Sequence, residues 1–343
     1  MRPNRSEIGC TAPGASGGTC LGIALLLVLL PAGPALSQTT DSTTTAQECC
    51  TALNYPISAR ILALAGAVVA DTDQDMVLAN PAGLVGLRRA EFLVHYQKLP
   101  ADAQILGLSF ATRPYRFGTF ALAYTLVDYG NFEGFDVQGN PTGAFYSQVH
   151  VIGATFATSL AAGLSGGLTY RAFVWVTPVS DTSETGGASG ATQLIDAGLQ
   201  YHPPWNRWLA LGASVNNAGL PLQVVNYEQS DKPPMRGRLG ARYEVAHFFS
   251  PDTTVTGSIS TEVILGGPGG AVLATSAEVS VGGVVAVRAG WRGARVAADP
   301  QSGGSLGIGL HVQRYRLDVA RSLKTSELFV GNSPFNVTFG VSF

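Results

Sequence analysis

The last nine residues of the chain, 335–343, alternate without exception between large apolar and small polar side chains. Phe and Val occupy one set of positions, and Asn, Thr, Gly and Ser occupy the other. A period of two predicts a β-strand that has an apolar environment on one side and a polar environment on the other. Strands that separate lipid from a polar lumen show this pattern in outer-membrane barrels. A transmembrane β-barrel is therefore the first hypothesis, with the strand running to the terminal Phe343.

The same alternation recurs upstream and predicts an all-β fold. It indicates about fourteen antiparallel strands, an even number as in bacterial outer-membrane barrels. We place these strands near 91–97, 103–112, 116–129, 145–159, 163–176, 191–203, 206–217, 235–246, 253–263, 271–281, 283–293, 305–312, 314–321 and 334–343.

The predicted connections alternate between tight turns and long segments rich in Gly, Pro, Ser, Asp and Asn. Bacterial barrels pair short periplasmic turns with longer extracellular loops, so this alternation supports the barrel and places the long loops outside the cell. The long connections are 130–144, 177–190, 218–234, 294–304 and 322–333.

The N-terminal residues divide into two segments before the predicted barrel, which covers 91–343. Residues 1–37 have two early arginines, an apolar run and small residues before Gln38, a combination typical of a secretory signal peptide. Residues 38–90 begin with a polar leader that we expect to be mobile to about Thr51. They continue as a compact, partly helical plug with Ser58 near an N-cap and turn residues at Asn80 and Pro81 that end it.

Composition excludes several functions. A hydrophobic fraction of 46% with only 13% charged residues fits an exported barrel, and a net charge of −2 gives no basic surface for nucleic acid. Cys49 and Cys50 are adjacent and would form only a strained bridge, so we expect no disulfide framework, with a free or intermolecular thiol as the alternative. The five histidines are scattered without metal spacing or a nucleophile motif, so we predict no metal site, cofactor or catalytic set.

Charged side chains fall on the less apolar face of the predicted strands. We interpret them as a luminal network of both signs, because a charge facing lipid costs about 2–4 kcal/mol near the midplane. A polar permeation path or ligand cavity is the alternative. The charges chosen as candidates are Arg171, Asp196, Arg238, Arg242, Glu278 and Arg288, with Glu244, Glu262, Arg292, Arg316 and Asp318 on the same face.

The acidic run 71–75 invites a calcium-loop interpretation, because oxygen ligands alternate in an EF-hand. The sixth position of such a loop is Met76 instead of Gly, and the twelfth is Ala82 instead of Glu. We therefore expect Asp71 and Asp75 to serve helix termination or packing of the plug.

The plug carries the motif that resembles a known family. Its residues are Ser58, Arg60, Gly66, Asp71, Asp75 and the run Asn80, Pro81, Ala82, Gly83 and Leu84. Followed by a C-terminal barrel, this motif resembles the PorV/PorQ family of outer-membrane proteins, which is distantly similar to FadL transporters. Asp128–Phe132, Gly139, Gly143–Phe145 and Asn217–Leu220 strengthen the likeness to the PorQ branch. The family often has a second Gly where this chain has Ala65.

The resemblance implies a fourteen-stranded barrel with the N-terminal segment folded into the lumen. It also implies a non-enzymatic component of type IX secretion that binds partner or cargo proteins through its outer loops. The alternative is a FadL-like channel for hydrophobic small molecules. In either case the protein would lie in the outer membrane of a Gram-negative-type bacterium, with Phe339 and Phe343 in the aromatic-ended strand that insertion machinery recognises.

Overall fold

The computed structural model describes residues 48–99, 103–115, 117–135, 138–177, 188–224, 230–245, 254–267, 270–294, 302–323 and 333–343. The predicted signal peptide and the leader as far as residue 47 lie outside the described residues.

Fourteen antiparallel strands form a closed barrel, as predicted. Strand β1 pairs with β2 on one side and with β16 on the other, where Glu91 lies opposite Ser342, and β5 pairs with β6. The barrel strands are β1 Glu91–Lys98, β2 Gln104–Tyr115, β3 Gly118–Phe135, β4 Pro141–Ala161, β5 Leu164–Thr177, β6 Ala188–Tyr201, β7 Leu209–Gly219, β10 Arg236–Glu244, β11 Val255–Gly267, β12 Gly270–Val281, β13 Val285–Ala294, β14 Gly303–Val312, β15 Tyr315–Ser322 and β16 Phe335–Ser342.

Several predicted connections differ from the structure. The predicted loop 130–144 is wrong for most of its length, because β3 and β4 continue as a paired hairpin to Phe135 and Pro141. The predicted loop 218–234 contains two short strands, β8 Leu222–Val224 and β9 Ser230–Asp231, and β8 pairs with β6. The four glycines of the first segment and the three prolines of the second are typical of loops and masked this pairing.

The strands present an apolar outer face. In β16 the outward side chains of Phe335, Phe339 and Phe343 are exposed, whereas the inward Asn336 and Thr338 are fully buried. With lipid on one side and lumen on the other, this is the fold of an outer-membrane β-barrel. By the general geometry of such barrels, the end with turns such as 312–315 faces the periplasm, and we name it the turn end. The opposite end is the loop end.

The plug, which we define as residues 48–90, contains four short helical elements. They are the 3-10 helix η1 Thr51–Asn54, the α-helix α1 Ala59–Ala63, and the 3-10 helices η2 Gln74–Leu78 and η3 Pro81–Gly86. Ser58 caps α1 as predicted, since its hydroxyl accepts a hydrogen bond from the backbone N–H of Arg60 at 3.1 Å. Asn80 caps the start of η3, so the expectation that Asn80 and Pro81 end the helical segment is wrong. None of the helices in the described ranges has the length and apolar character needed to span a membrane.

Candidate functional site

The plug enters the lumen at the loop end and leaves it at the turn end, where β1 begins. Glu48 pairs with Arg236 at the start of β10, with Nη2 to Oε2 at 2.7 Å, and the N–H of Cys49 donates to the carbonyl of Lys232. The expectation of a mobile leader to Thr51 is therefore wrong for residues 48–51. A bidentate guanidinium–carboxylate pair at a strand end holds the chain in place.

Cys49 and Cys50 are joined to each other by a disulfide. The alternative of a free or intermolecular thiol is therefore wrong for these two residues. The pair is compatible with the local backbone because Cys50 adopts a left-handed conformation, with φ of 60°. Both cysteines pack against apolar side chains on the inner wall of the barrel.

The turn after α1 forms with Ala65 at the position where the PorV/PorQ resemblance predicted a second glycine. The N–H of Gly66 donates to the carbonyl of Ile61, and the N–H of Ala65 donates to that of Leu62, which is the Schellman arrangement. Ala65 and Gly66 both have positive φ, at 50° and 81°. The substitution therefore leaves the turn intact.

The acidic run of the plug binds arginines. Arg60 lies 2.6 Å from Asp71 and 2.7 Å from Asp73, while Asp75 pairs with Arg316 of β15. All three carboxylates have cationic partners, as buried charges require. The structure thus places this run in ion pairs between plug and wall, and among the described residues no three His, Cys, Asp or Glu side chains are grouped as a metal would need.

The same ion pairs continue into the barrel wall. Glu278 of β12 receives Arg60 at 3.2 Å and Arg288 of β13 at 2.5 Å, and Arg288 also binds Asp318 of β15 at 2.6 Å. Arg242 of β10 binds Asp71 at 3.1 Å. We call this connected set the ionic latch; its members are Arg60, Asp71, Asp73, Asp75, Arg242, Glu278, Arg288, Arg316 and Asp318.

A second contact attaches the turn after α1 to β11. One oxygen of Glu262 accepts the backbone N–H groups of Val68 and Val69 at 2.9 and 2.8 Å. Its other oxygen binds Arg238 at 2.5 Å, and Arg238 also donates to the carbonyl of Gly66 at 2.6 Å. The pair satisfies polar backbone groups that have left the helix and lie in the lumen.

Two further candidate charges lie apart from the plug. Arg171 of β5 binds Asp196 of β6 at 2.5 Å and the side-chain oxygen of Asn217 of β7 at 2.5 Å. Asn217 belongs to a bulge, since two residues of β7, Asn216 and Asn217, lie opposite the single residue Asp196 and Asn217 has φ of 62°. These residues stabilise the bulge in the wall.

The run Asn80–Leu84 packs directly against the wall. The side chain of Asn80 accepts the N–H of Ala82 at 3.1 Å and donates to the carbonyls of Val69 at 2.6 Å and Leu199 at 3.3 Å. Gly83 has no room for a side chain, because an added Cβ would lie 2.4 Å from the carbonyl oxygen of Asp71. Leu84 is fully buried in an apolar cluster.

Inward-facing glycines allow the plug to approach the strands. A Cβ at Gly198 would lie 1.9 Å from Oδ1 of Asn80, and one at Gly212 would lie 2.2 Å from the carbonyl oxygen of Val69. Gly167, Gly240, Gly290 and Gly307 face Pro81, Val69, Leu64 and Ala63 in the same way. Sequence reasoning missed this set, although a glycine inside a strand can indicate the close approach of another backbone.

The inner wall near the loop end is apolar, which the sequence reasoning also missed. Strands β2 to β6 point buried aliphatic and aromatic side chains inward there, above the polar and charged levels of the lumen. The wall residues are Ile105, Val127, Val149, Val151, Phe173 and Leu194, and we call this surface the apolar wall. Ala52, Leu53, Tyr55 and Ile57 of the plug pack against it.

No known family profile and no curated protein matches this sequence. Among solved structures, the barrel is similar to the CymD monoaromatic hydrocarbon channel, at 14% identity and a TM-score of 0.55, over 84% of this chain and 97% of that one. It is similar to the Pseudomonas putida toluene transporter TodX at 12% identity and a TM-score of 0.52, over 83% and 96%. A Pseudomonas aeruginosa FadL homologue matches at 9% identity and a TM-score of 0.46, over 83% and 97%.

These likenesses establish the fold. The two neighbours with the higher TM-scores are a channel and a transporter, and both align over nearly their whole length. The comparisons lend no support to the PorV/PorQ resemblance or to type IX secretion. The chain has the outer-membrane β-barrel fold of CymD and TodX.

Proposed function

We propose that this protein is a channel through which hydrophobic small molecules cross the outer membrane. The apolar wall is the observation that carries the proposal. General porins have a polar, water-filled interior, whereas here six strand residues make the loop end of the lumen apolar. Transfer of an apolar solute from water to such a surface is favourable by about 25 cal/mol per Å² of buried apolar area.

The geometry supports binding between the apolar wall and the start of the plug. Tyr55, Ile57 and the Cys49–Cys50 pair are in contact with that wall and are the groups that a ligand would displace or join. Beneath this level the plug is attached to the wall by the ionic latch. CymD is a monoaromatic hydrocarbon channel and TodX is a toluene transporter, so toluene is the natural first probe.

Uptake into proteoliposomes tests the proposal. We expect saturable uptake of labelled toluene and only background uptake of labelled glucose. A double variant Val127→Thr, Val149→Thr places two hydroxyls in the apolar wall with little change of volume, and toluene uptake should fall several-fold. Val279→Thr makes the same exchange on the lipid-facing side of β12 and should leave uptake unchanged. Equal uptake by all three proteins, or no uptake above empty liposomes, would reject the proposal.

The secretion hypothesis stays a prediction. It expects that deletion of the long loops abolishes capture of a partner while the barrel still folds, and that secretion components co-purify with the protein. No contact among the described residues favours it over the channel.

A further inference from the structure

A cavity of about 350 Å³ opens at the turn end, between the plug and the wall. It is lined by Ala70, Thr72 and Arg88 of the plug, by residues 202 and 207–210 around the β6–β7 turn, and by Arg242 and Glu244 of β10. It is remote from the apolar wall, which lies at the loop end. Its volume is at the lower limit of the usual range for small-molecule sites, about 300–1,000 Å³.

The cavity carries an excess of positive charge. Three arginines, Arg88, Arg207 and Arg242, line it with a single carboxylate, that of Glu244. Arg242 is already bound to Asp71 at 3.1 Å. Neither Arg88 nor Arg207 forms an ion pair with any residue in the described parts of the chain. Two guanidinium groups therefore remain to receive an anion, and guanidinium matches the geometry of a carboxylate.

The other lining groups favour a ring over a hydrated inorganic ion. Trp208 is half-buried and has the guanidinium of Arg207 above its ring, 4.3 Å from the ring centroid. Leu209, Ala210 and Ala70 add apolar surface. Burial and the nearby charge of Arg242 lower the pKa of His202, which also lines the cavity.

We propose that this cavity is a binding site for a small aromatic carboxylate, with Arg88 and Arg207 holding the carboxylate and Trp208 lying beside the ring. The site faces the periplasm, at the opposite end of the lumen from the apolar wall. It goes beyond the proposed function, because its ligand is an anion and its binding requires no transport.

Calorimetric titration of the purified full-length protein in detergent tests the proposal. The probe is benzoate, with benzyl alcohol as the ring without the charge and inorganic phosphate as the charge without the ring. We expect saturable binding of benzoate that neither benzyl alcohol nor phosphate reproduces at the same concentration. Equal binding of phosphate would overturn the aromatic part of the proposal, and equal binding of benzyl alcohol would overturn the anionic part.

Variants locate the site. Arg88→Gln and Arg207→Gln should each raise the dissociation constant of benzoate by about tenfold, as expected for the loss of a charge-assisted hydrogen bond. Trp208→Leu should also weaken benzoate binding. Arg314→Gln removes an exposed arginine at the same end of the barrel but outside the cavity, and binding should be unchanged. No saturable binding, or equal weakening by Arg314→Gln, would overturn the assignment. Toluene uptake is measured separately, so either proposal can fail while the other holds.

Discussion

Arg60 of the plug and Glu278 of β12 form an ion pair across the lumen, with Nε 3.2 Å from Oε2, although 218 residues separate them in sequence. Arg60 is only 5% exposed and also binds Asp71 and Asp73. Burial alone would lower the pKa of Arg60, but the surrounding carboxylates raise it well above its usual value. Arg60 is therefore the cation that the plug itself contributes to the ionic latch.

We expect Arg60→Met to lower the free energy of unfolding by about 3–5 kcal/mol, because it leaves buried carboxylates without their partner. The free energy is measured by denaturant titration of the barrel refolded in lipid vesicles. Arg321→Met removes an exposed arginine on β15 and should change the free energy by less than about 0.5 kcal/mol.

The same variant should also affect permeability. If the ionic latch fixes the lower plug, Arg60→Met should increase ion conductance across planar bilayers and expose the plug to protease. Wild-type conductance and protease resistance in a folded Arg60→Met barrel would contradict this role for the latch.

Gly198 and Asn80 should show strong coupling in a double-mutant cycle. Gly198→Ala would force a methyl group to within 1.9 Å of Oδ1 of Asn80, and overpacking of this kind costs about 1–3 kcal/mol. Asn80→Ala alone costs about 1 kcal/mol through loss of the cap. In the double variant the clash partner is absent, so we expect the total cost to be smaller than the sum of the two. Strict additivity would show that the plug does not contact β6 at this point.

Gly237→Ala is the matched control for Gly198→Ala. The nearest atom to a Cβ at Gly237 is 4.0 Å away, in Leu265, so the added methyl group has room. Thermal unfolding of this variant should resemble that of the wild type.

The strands were predictable from sequence because most of them alternate clearly over part of their length, as 335–343 illustrates. The apolar wall was not predictable in the same way, because Val151 and Phe173 point inward while Ile152 and Val174, next to them on the lipid side, are apolar as well. When both faces of a strand are apolar, the period of two no longer separates them.

The position of the plug residues also could not be derived from local pattern. Ser58 could be assigned as a cap because its partner Arg60 is two residues away. The partners of Asp75 and Asn80 lie in β15 and β6, at 241 and 119 residues' distance, and no local spacing encodes them. The alternation along β13 predicted that Arg288 points into the lumen. Its pairing with Asp318 of β15 depends on how the strands are arranged around the barrel, which the sequence pattern does not specify.

The ion pair of Asp75 should make the stability of the folded protein depend on pH. Burial would raise the pKa of Asp75, but the charge of Arg316 outweighs it and lowers the pKa below its usual value. A carboxyl group whose pKa is lower in the folded than in the unfolded protein adds to the stability above its unfolded pKa, which is about 4 for Asp. That added stability is lost as the pH falls toward the folded-state pKa. We therefore expect Asp75→Asn to be less stable than the wild type from pH 7 to pH 5, with the difference shrinking below about pH 4.

Denaturant midpoints of wild type and Asp75→Asn at pH 7, 5 and 3.5 measure this effect. Asp231→Asn is the control, since Asp231 is only partly buried on β9 and forms no ion pair with the described residues. A difference between wild type and Asp75→Asn that grows on acidification would have the wrong sign and would contradict the assignment.

Phe343 follows directly after β16, the strand that closes the barrel by pairing with β1. Its N–H donates to the carbonyl of Ala90 at 2.8 Å, next to the start of β1, and its side chain is 71% exposed on the outer face. Phe339, on the same face, packs its ring on Tyr315 of β15 with the ring centroids 6.4 Å apart. Deletion of Phe343 removes few contacts from the folded barrel, so its effect should appear in assembly. We expect Phe343→Asp to accumulate in the periplasm, while Phe343→Leu inserts at least partly; membrane fractionation distinguishes the two, and normal insertion of Phe343→Asp would show that this residue is not an assembly signal.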